Sequence, residues 1–464
     1  LLRILLGLWL ALLCMPASAR LADPQQAWNS PAARDLAQIR RSGELRVLVN
    51  ESRASSGEVR GQAVGGEYHR LKAFERYLNQ RQQGSLRLKL LPRPKTDLLK
   101  ALQRGDGDLV ASSELLQSEA AIHVSSSQAL REAVPLVVVT RQGVRRNLRF
   151  EHMAGRSLAL PRGSAAVEAV RRINQQLAER KLAPLMIEWV DDSLAVEDVL
   201  EMVQAGIYNY SAVEQPLAER WSKVLPRLRI DRHLVLDNRR DLNWYVRPDA
   251  PTLRASLDAF LEDYRAPADQ DSAFQRVYRR SYKVHYPLNR ADRQRLEKVR
   301  PVLQKYAAQQ DFDWLALAAI AYKESSLNPA ARGANGASGL MQITPAAARS
   351  VGVGNIAALD SNVQAATRYM AKIRRSFFAN PRLDPDERLA FILAAYNMGP
   401  QRVQSLRAEA RRRGLDADRW FFQVERIALE QVGMGPVSYV AAVNKYRLAF
   451  DRERDVLEPR VVHK

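Results

Sequence analysis

Between residues 45 and 264 the apolar positions keep two alternating rhythms. Short, nearly unbroken runs predict strands, and stretches with apolar residues three and four apart predict helices. The strand runs are Leu45 to Val49, Leu86 to Leu91, Asp108 to Ser112, Pro135 to Thr140, Ser157 to Pro161, Met186 to Val190 and Tyr208 to Val213. Leu234 to Leu236 and Leu242 to Val246 complete them. Helical spacing fills Tyr68 to Leu78, Thr96 to Gln103, Ala165 to Leu177, Leu194 to Gln204 and Leu253 to Tyr264. The run at Pro135 to Thr140 is β-branched and uninterrupted, as a strand covered on both faces requires. Alternation of this kind predicts a two-lobed α/β unit over residues 40–265 with a cleft between its lobes.

From Arg293 the strand rhythm stops. Arg293 to Gln309 carries Leu296, Val299, Leu303 and Tyr306 as one stripe, and Trp314 to Ser325 follows, capped by Asp311 or Asp313. Helices are also predicted at Asn362 to Phe378, Asp386 to Tyr396, Gln401 to Arg412, Arg419 to Leu429 and Ser438 to Ala449. Residues 293–464 therefore read as an all-helical domain, joined to the first by a connector over 266–292. The fold class expected is α/β followed by all-α.

At the N-terminus, an arginine, an apolar run from Ile4 to Met15 and Ala17-Ser-Ala19 predict a secretory signal peptide over 1–19, with a leader over 20–39. The run is too short to span a bilayer. The single cysteine, Cys14, falls inside that signal. A mature chain without cysteine excludes thiol catalysis and disulfide chemistry. Lys and Arg number 71 against 51 Asp and Glu, a net charge of +20. In an exported protein such a charge points to anionic envelope material rather than to nucleic acid. The six histidines show no ligand spacing, so neither a metal nor any other cofactor is expected.

Three segments of the helical half resist explanation by packing. The first is Glu324-Ser325-Ser326, where Glu324 falls in line with Ile320 and Leu317 on the core-facing stripe. A glutamate there is either paired or kept protonated by desolvation, and taken alone it leaves a structural role open. The second is Ser338-Gly-Leu-Met-Gln342, in which Gly339 permits close backbone approach and Gln342 offers an amide. The third is Ala394-Ala-Tyr-Asn-Met-Gly-Pro400, a phenol and an amide just before a helix terminator. Together they point to a catalytic site rather than a core.

These three motifs resemble those of the lytic transglycosylases of the goose-lysozyme-like superfamily, in the soluble-transglycosylase type. The resemblance implies a lysozyme-like fold, peptidoglycan glycan strands as substrate, and Glu324 as the catalytic residue. It implies Ser338, Met341, Gln342, Tyr396 and Asn397 as substrate-binding residues, with Tyr439 in Ser438-Tyr-Val440 as the family's late tyrosine. The Glu-Thr dipeptide often found shortly before that tyrosine is replaced by Met434-Gly-Pro436. The first half resembles exported solute-binding proteins of the amino-acid type, through Gly43 to Val47, Gly105-Asp-Gly-Asp-Leu-Val110, Leu158 to Ser164 and Glu197 to Gly206. That leaves two readings open, a regulatory domain sensing a muropeptide or peptide and a non-binding scaffold that positions its neighbour. Arg162, Gly163 and Ser164, where a strand meets a helix start, are the sensor's candidate anion-holding residues. The arginine that clamps ligand carboxylates in that family is missing from Leu115 to Ala121, which argues against a free amino acid.

Most glycosidases use two carboxylates. Here Asp360 stands alone, and Asp384, Asp386 and Glu387 fall at a loop and helix start. The chemistry expected is therefore non-hydrolytic, with the muramyl 2-acetamido group as internal nucleophile and 1,6-anhydromuramyl ends as product. A hydrolytic muramidase and a non-catalytic envelope receptor are the alternatives. The location implied is the periplasm of a Gram-negative bacterium, attached peripherally to the outer membrane.

Overall fold

The computed structural model describes residues 34–54, 57–59, 62–80, 85–117, 121–268 and 270–458. The expected signal peptide lies outside the described residues, as does the leader up to residue 33. The first lobe is built on a five-stranded sheet in the spatial order Arg87–Arg93, Glu44–Asn50, Leu109–Ala111, Tyr245–Val246, Ser125–Ser126. Its first three strands are parallel, as expected where helices supply the connections. The second lobe orders Leu228–Asp237, Leu136–Arg141, Tyr210–Glu214, Ser157–Leu160 and Met186–Trp189. The chain crosses between lobes twice, and the crossings pair with each other. Leu130 and Leu242 are joined by a 2.7 Å bond, and Val134 donates to Arg240 at 2.9 Å.

The returning crossing explains a difference from the sequence reading. Leu242 to Val246 carries strand composition, yet only Tyr245–Val246 joins the sheet. Its first residues pair with the outgoing crossing instead. Conversely, Leu234 to Leu236 is only the last part of a longer strand, Leu228–Asp237, whose charged residues mask its alternation.

Residues 290–457 are helical. The helix Trp314–Ser325 packs on Arg290–Gln310 and Met434–Arg452 and is buried on every face from Trp314 to Tyr322, with Leu359–Phe377, Pro385–Met398 and Pro400–Arg412 completing the domain. The expected helix from Arg419 to Leu429 is broken. Trp420–Val424 makes a wide turn in which Phe422 takes φ 64°, and the regular helix starts only at Glu425. Three consecutive buried rings, Trp420, Phe421 and Phe422, cannot all face one side of a helix, and the turn lets each reach the core. No helix among the described residues is long and apolar enough to cross a membrane.

The connector contains a helix, Gln270–Tyr278, that its polar composition concealed. Phe274 and Tyr278 stack with Trp221 and Tyr282 at centroid distances of 4.8–5.9 Å. This aromatic cluster lies where the second lobe meets the helical domain. Both contribute to one continuous apolar core, from Val137, Val199 and Val203 through Leu296, Leu317 and Phe391 to Leu457. The first lobe keeps separate cores around Phe74 and Trp244 and around Leu98 and Val110.

A buried ionic cluster crosses the same boundary. Lys445 of the Met434–Arg452 helix donates to Asp198 at 2.8 Å and to Glu201 at 2.5 Å. Arg53 of the first lobe pairs with Asp198 and, at 2.7 Å, with Glu425. Burial works to lower the Lys445 pKa, but the Asp198 and Glu201 carboxylates outweigh it and the net shift is upward. Glu197 beside them lines the interlobe cleft and accepts the Arg53 backbone N–H at 2.7 Å.

Candidate active site

Glu324 sits in the last turn of the Trp314–Ser325 helix. Asp313 opens that helix by accepting the Leu315 N–H at 3.0 Å, and Ser326 closes it in the left-handed region at φ 52°. Ile320 and Leu317, one and two turns back, are fully buried. Glu324 itself is half-buried, on the edge of that stripe. Its carboxylate accepts a hydrogen bond from the Tyr439 hydroxyl at 2.7 Å and forms no ion pair among the described residues. Burial raises its pKa, and neither the Tyr439 bond nor neighbouring Lys323 cancels the effect. The result is a carboxyl that holds its proton longer than an ordinary glutamate.

The other motif residues meet around it. Tyr396, from the Pro385–Met398 helix, donates to the Met341 carbonyl at 2.9 Å. Burial, with the Glu324 charge second, pushes both Tyr396 and Tyr439 phenols well up, so they act as neutral donors. Ser325 donates to the Leu340 carbonyl at 2.8 Å, tying the end of the Glu324 helix to the loop. Within that loop Gln342 takes φ 48° and donates its amide to Gly339 at 2.9 Å and to Ala331 at 3.2 Å. Its amide N–H groups thus brace the loop, where the sequence suggested an amide offered to ligand. The Met341 side chain is fully buried, and it meets Tyr396 through its backbone carbonyl. Ser338 is half-buried at the loop's start, and Asn397 is exposed at the far end of the Tyr396 helix.

One residue that holds this arrangement escaped the sequence reading. Asn362 is fully buried at the start of the Leu359–Phe377 helix. It donates to the carbonyls of Ser338 (2.8 Å) and Ile356 (3.0 Å) and accepts the Met341 N–H at 2.9 Å. A side chain on Gly339, whose φ is +76°, would strike the Asn362 amide at 2.2 Å. The signal was present: Asn362 is a polar residue beside Val363, Ala365 and Ala366, on a face that is otherwise apolar. Asn362→Ala strands three backbone groups and should cost about 2 kcal/mol. It should also lower kcat/KM on glycan, measured by chemical denaturation alongside steady-state kinetics.

The remaining carboxylates have other partners. Asp360 is exposed and binds Lys305 at 2.8 Å as well as Tyr306. Asp384 caps the Pro385–Met398 helix, and Asp386 lies 3.3 Å from Arg447. Glu387, pushed up to about 7 by burial, accepts the Trp420 N–H at 2.6 Å and pins the wide turn. Among the described residues no group of three His, Cys, Asp or Glu side chains could hold a metal.

The candidate triplet of the second lobe is placed differently from its neighbours in the cleft. The cavity between the lobes, of about 480 Å³, is lined by Ser52, Glu67, Arg70, Ser113, Glu197 and Glu214 among others, and by none of the triplet. Arg162 lies over the Trp189 ring, 5.6 Å from its centroid. Gly163 packs against Lys95 and Thr96 of the first lobe, and Ser164 is buried and accepts the Ala166 N–H at 3.3 Å. Gly163 and Ser164 thus face the first lobe, Ser164 also bridging to Leu116, while the Arg162 side chain stays largely exposed.

Residues 301–418 match the Transglycosylase SLT domain family. The match includes Glu324, the Ser338 to Gln342 loop and Tyr396; Tyr439 falls beyond it. Along most of its length the chain is a domain fusion resembling proteins named membrane-bound lytic murein transglycosylase F. The one from Desulfosudis oleivorans is 28% identical over 397 residues, covering 82% of this chain and 81% of that protein. The one from Stutzerimonas stutzeri is 27% identical over 440 residues, covering 89% and 85%. An ancestral arginine-binding protein bound to arginine aligns with 50% of this chain and 97% of its own at 17% identity, with a TM-score of 0.40.

Proposed function

We propose that this protein is a lytic transglycosylase of the bacterial periplasm. It cleaves the β-1,4 bond between N-acetylmuramic acid and N-acetylglucosamine in peptidoglycan without consuming water. The observation that carries this reading is the solitary state of Glu324: a half-buried carboxyl held by one phenol, with the nearby acidic side chains in sequence committed elsewhere. A single carboxyl can serve as acid first and base second.

In the first step Glu324 gives its proton to the bridging oxygen, and the bond from that oxygen to the muramyl C1 breaks. The 2-acetamido oxygen of the same sugar closes onto C1, at the high effective concentration of a tethered group. The Glu324 carboxylate then takes the proton of the C6 hydroxyl, and that oxygen displaces the acetamido oxygen from C1. The product is a 1,6-anhydromuramyl end, and Glu324 regains its proton. Tyr439 steadies the carboxylate between the two transfers. Ser338 and Tyr396 frame the acetamide, Gln342 and Met341 act by fixing the loop, and Asn397 borders the subsite. No cofactor takes part.

The two-lobed domain is read as a sensor for a muropeptide or short peptide. The cleft supports this: alongside the already bonded Glu67, Glu197 and Glu214 its lining carries Arg131, Glu219, Arg220, Lys223 and Asp271, a mixed set of charges suited to a zwitterionic chain. The enzyme is read as peripherally attached to the outer membrane of a Gram-negative cell. Mass analysis of material released from purified sacculi tests the chemistry. Products lighter by one water than reducing-end muropeptides are expected, and reducing ends as the main product would assign a hydrolase.

A further inference from the structure

The second lobe carries a concavity of about 560 Å³ on its outer side, lined by Val144, Arg145, Arg146, Asn147, Leu148, His152, Arg156, Asn209 and Tyr210. No carboxylate lines it. Arg145, Arg146 and Arg156 are exposed, and none of them forms an ion pair among the described residues. In a chain where arginine–carboxylate pairs are frequent, three unpaired arginines around one hollow are conspicuous. The segment is ordered by its own bonds. Arg229 donates to the Val144 carbonyl at 2.5 Å, and Asn147 donates to the Tyr210 hydroxyl at 3.1 Å.

Apolar side chains stand among the charges. Leu148 is 57% exposed between Arg146 and Arg149, and Met186 is 50% exposed, its backbone N–H bonded to the Arg156 carbonyl at 2.9 Å. Leu182 is exposed nearby, in the turn whose Pro184 carbonyl accepts the Gly155 N–H. A polyanion in solution gains nothing from bare leucine and methionine. A bilayer surface does, because its phosphates lie directly above acyl chains that accept apolar side chains.

We infer that this face docks the protein on an anionic bilayer, with lipid phosphates in the arginine-lined hollow and Leu148 and Met186 entering the head-group boundary. The inference rests on the reading of a peripherally attached envelope enzyme and locates the attachment in the second lobe. The far end of the Met434–Arg452 helix meets the same lobe, where Arg452 pairs with Glu188 at 2.8 Å. From Arg452 back to Tyr439 that helix rises about 20 Å.

Sedimentation of the full chain with vesicles tests the assignment. Binding is expected to vesicles of phosphatidylethanolamine with phosphatidylglycerol, to fall as salt is raised, and to be weak on phosphatidylcholine. Replacing Arg145, Arg146 and Arg156 together with serine should reduce partitioning on the order of a hundredfold. The variant keeps the N-terminal apolar run, so the difference between the two proteins reads the patch alone. Leu148→Trp should blue-shift its emission when anionic vesicles are added. Equal sedimentation of wild type and triple variant, or a tryptophan that stays in water, overturns the proposal. So does a triple variant that loses affinity for purified sacculi and not for vesicles, since wall polymer would then be the occupant. Release of anhydro products from sacculi reports separately on the enzymatic reading.

Discussion

Glu324→Gln is expected to reduce release of soluble product from sacculi about a thousandfold or more, because one group performs both proton transfers. Its stability should respond to pH in a way that separates catalysis from architecture. In the wild type, burial holds the Glu324 pKa above the ordinary carboxyl value of the unfolded chain. Below both values the group is protonated in either state and contributes no difference. As pH rises through the window between them, the unfolded chain releases its proton first and the native state loses stability. Glutamine carries no such proton, so the variant should match wild type under acid conditions and equal or exceed it at neutral and alkaline pH. The same raised pKa predicts that wild-type kcat/KM declines on the alkaline side as the acid form is lost. Turnover of Glu324→Gln within tenfold of wild type would remove Glu324 from the mechanism.

Lys445→Ala should be the most destabilising substitution away from the active site, by about 3–5 kcal/mol. Lys445 is almost wholly buried and is the ammonium partner of both Asp198 and Glu201. Removing it leaves two carboxylates in a medium of low polarity, with Arg53 to serve only the first. The deficit should grow with pH, because acid allows Glu201 to take up a proton and shed its charge. Adding Glu201→Gln to Lys445→Met should recover a substantial part of the loss, as a direct pair requires. Urea titrations of the single and double variants at two pH values check this. A loss below 1 kcal/mol, or one indifferent to pH, would show that water reaches the cluster.

The elements and the first-order chemistry were legible because both depend on local order. Glu324 announced itself by standing in register with Leu317 and Ile320, and Tyr396 by preceding a helix terminator. What could not be read depends on which surfaces meet. Arg53 is an ordinary arginine in sequence, 145 residues from Asp198 and 372 from Glu425. The Gln270–Tyr278 helix carries its aromatic residues for partners distant in sequence, Trp221 of the second lobe and the Arg53 carbonyl of the first. The bracing bonds of Gln342 were equally illegible: a positive φ at a non-glycine residue is visible only in the backbone, and its amide nitrogen donates to the Ala331 and Gly339 carbonyls. The approach of Lys95 and Thr96 to Gly163, in the Arg162 to Ser164 turn, likewise depends on how the two lobes meet.

The shared core of the second lobe and the helical domain has a consequence for how this protein comes into being. The Val196–Ala205 helix presents apolar residues to its own sheet on one side and to the helical domain on the other. During synthesis that outer side is met first by the connector, where the Val284 N–H reaches Glu201 at 2.7 Å, 83 residues on. Lys445, the ammonium partner of Asp198, follows only 247 residues after it. Until the helical domain has been made, the lobe holds a cluster of carboxylates whose ammonium partner has yet to arrive.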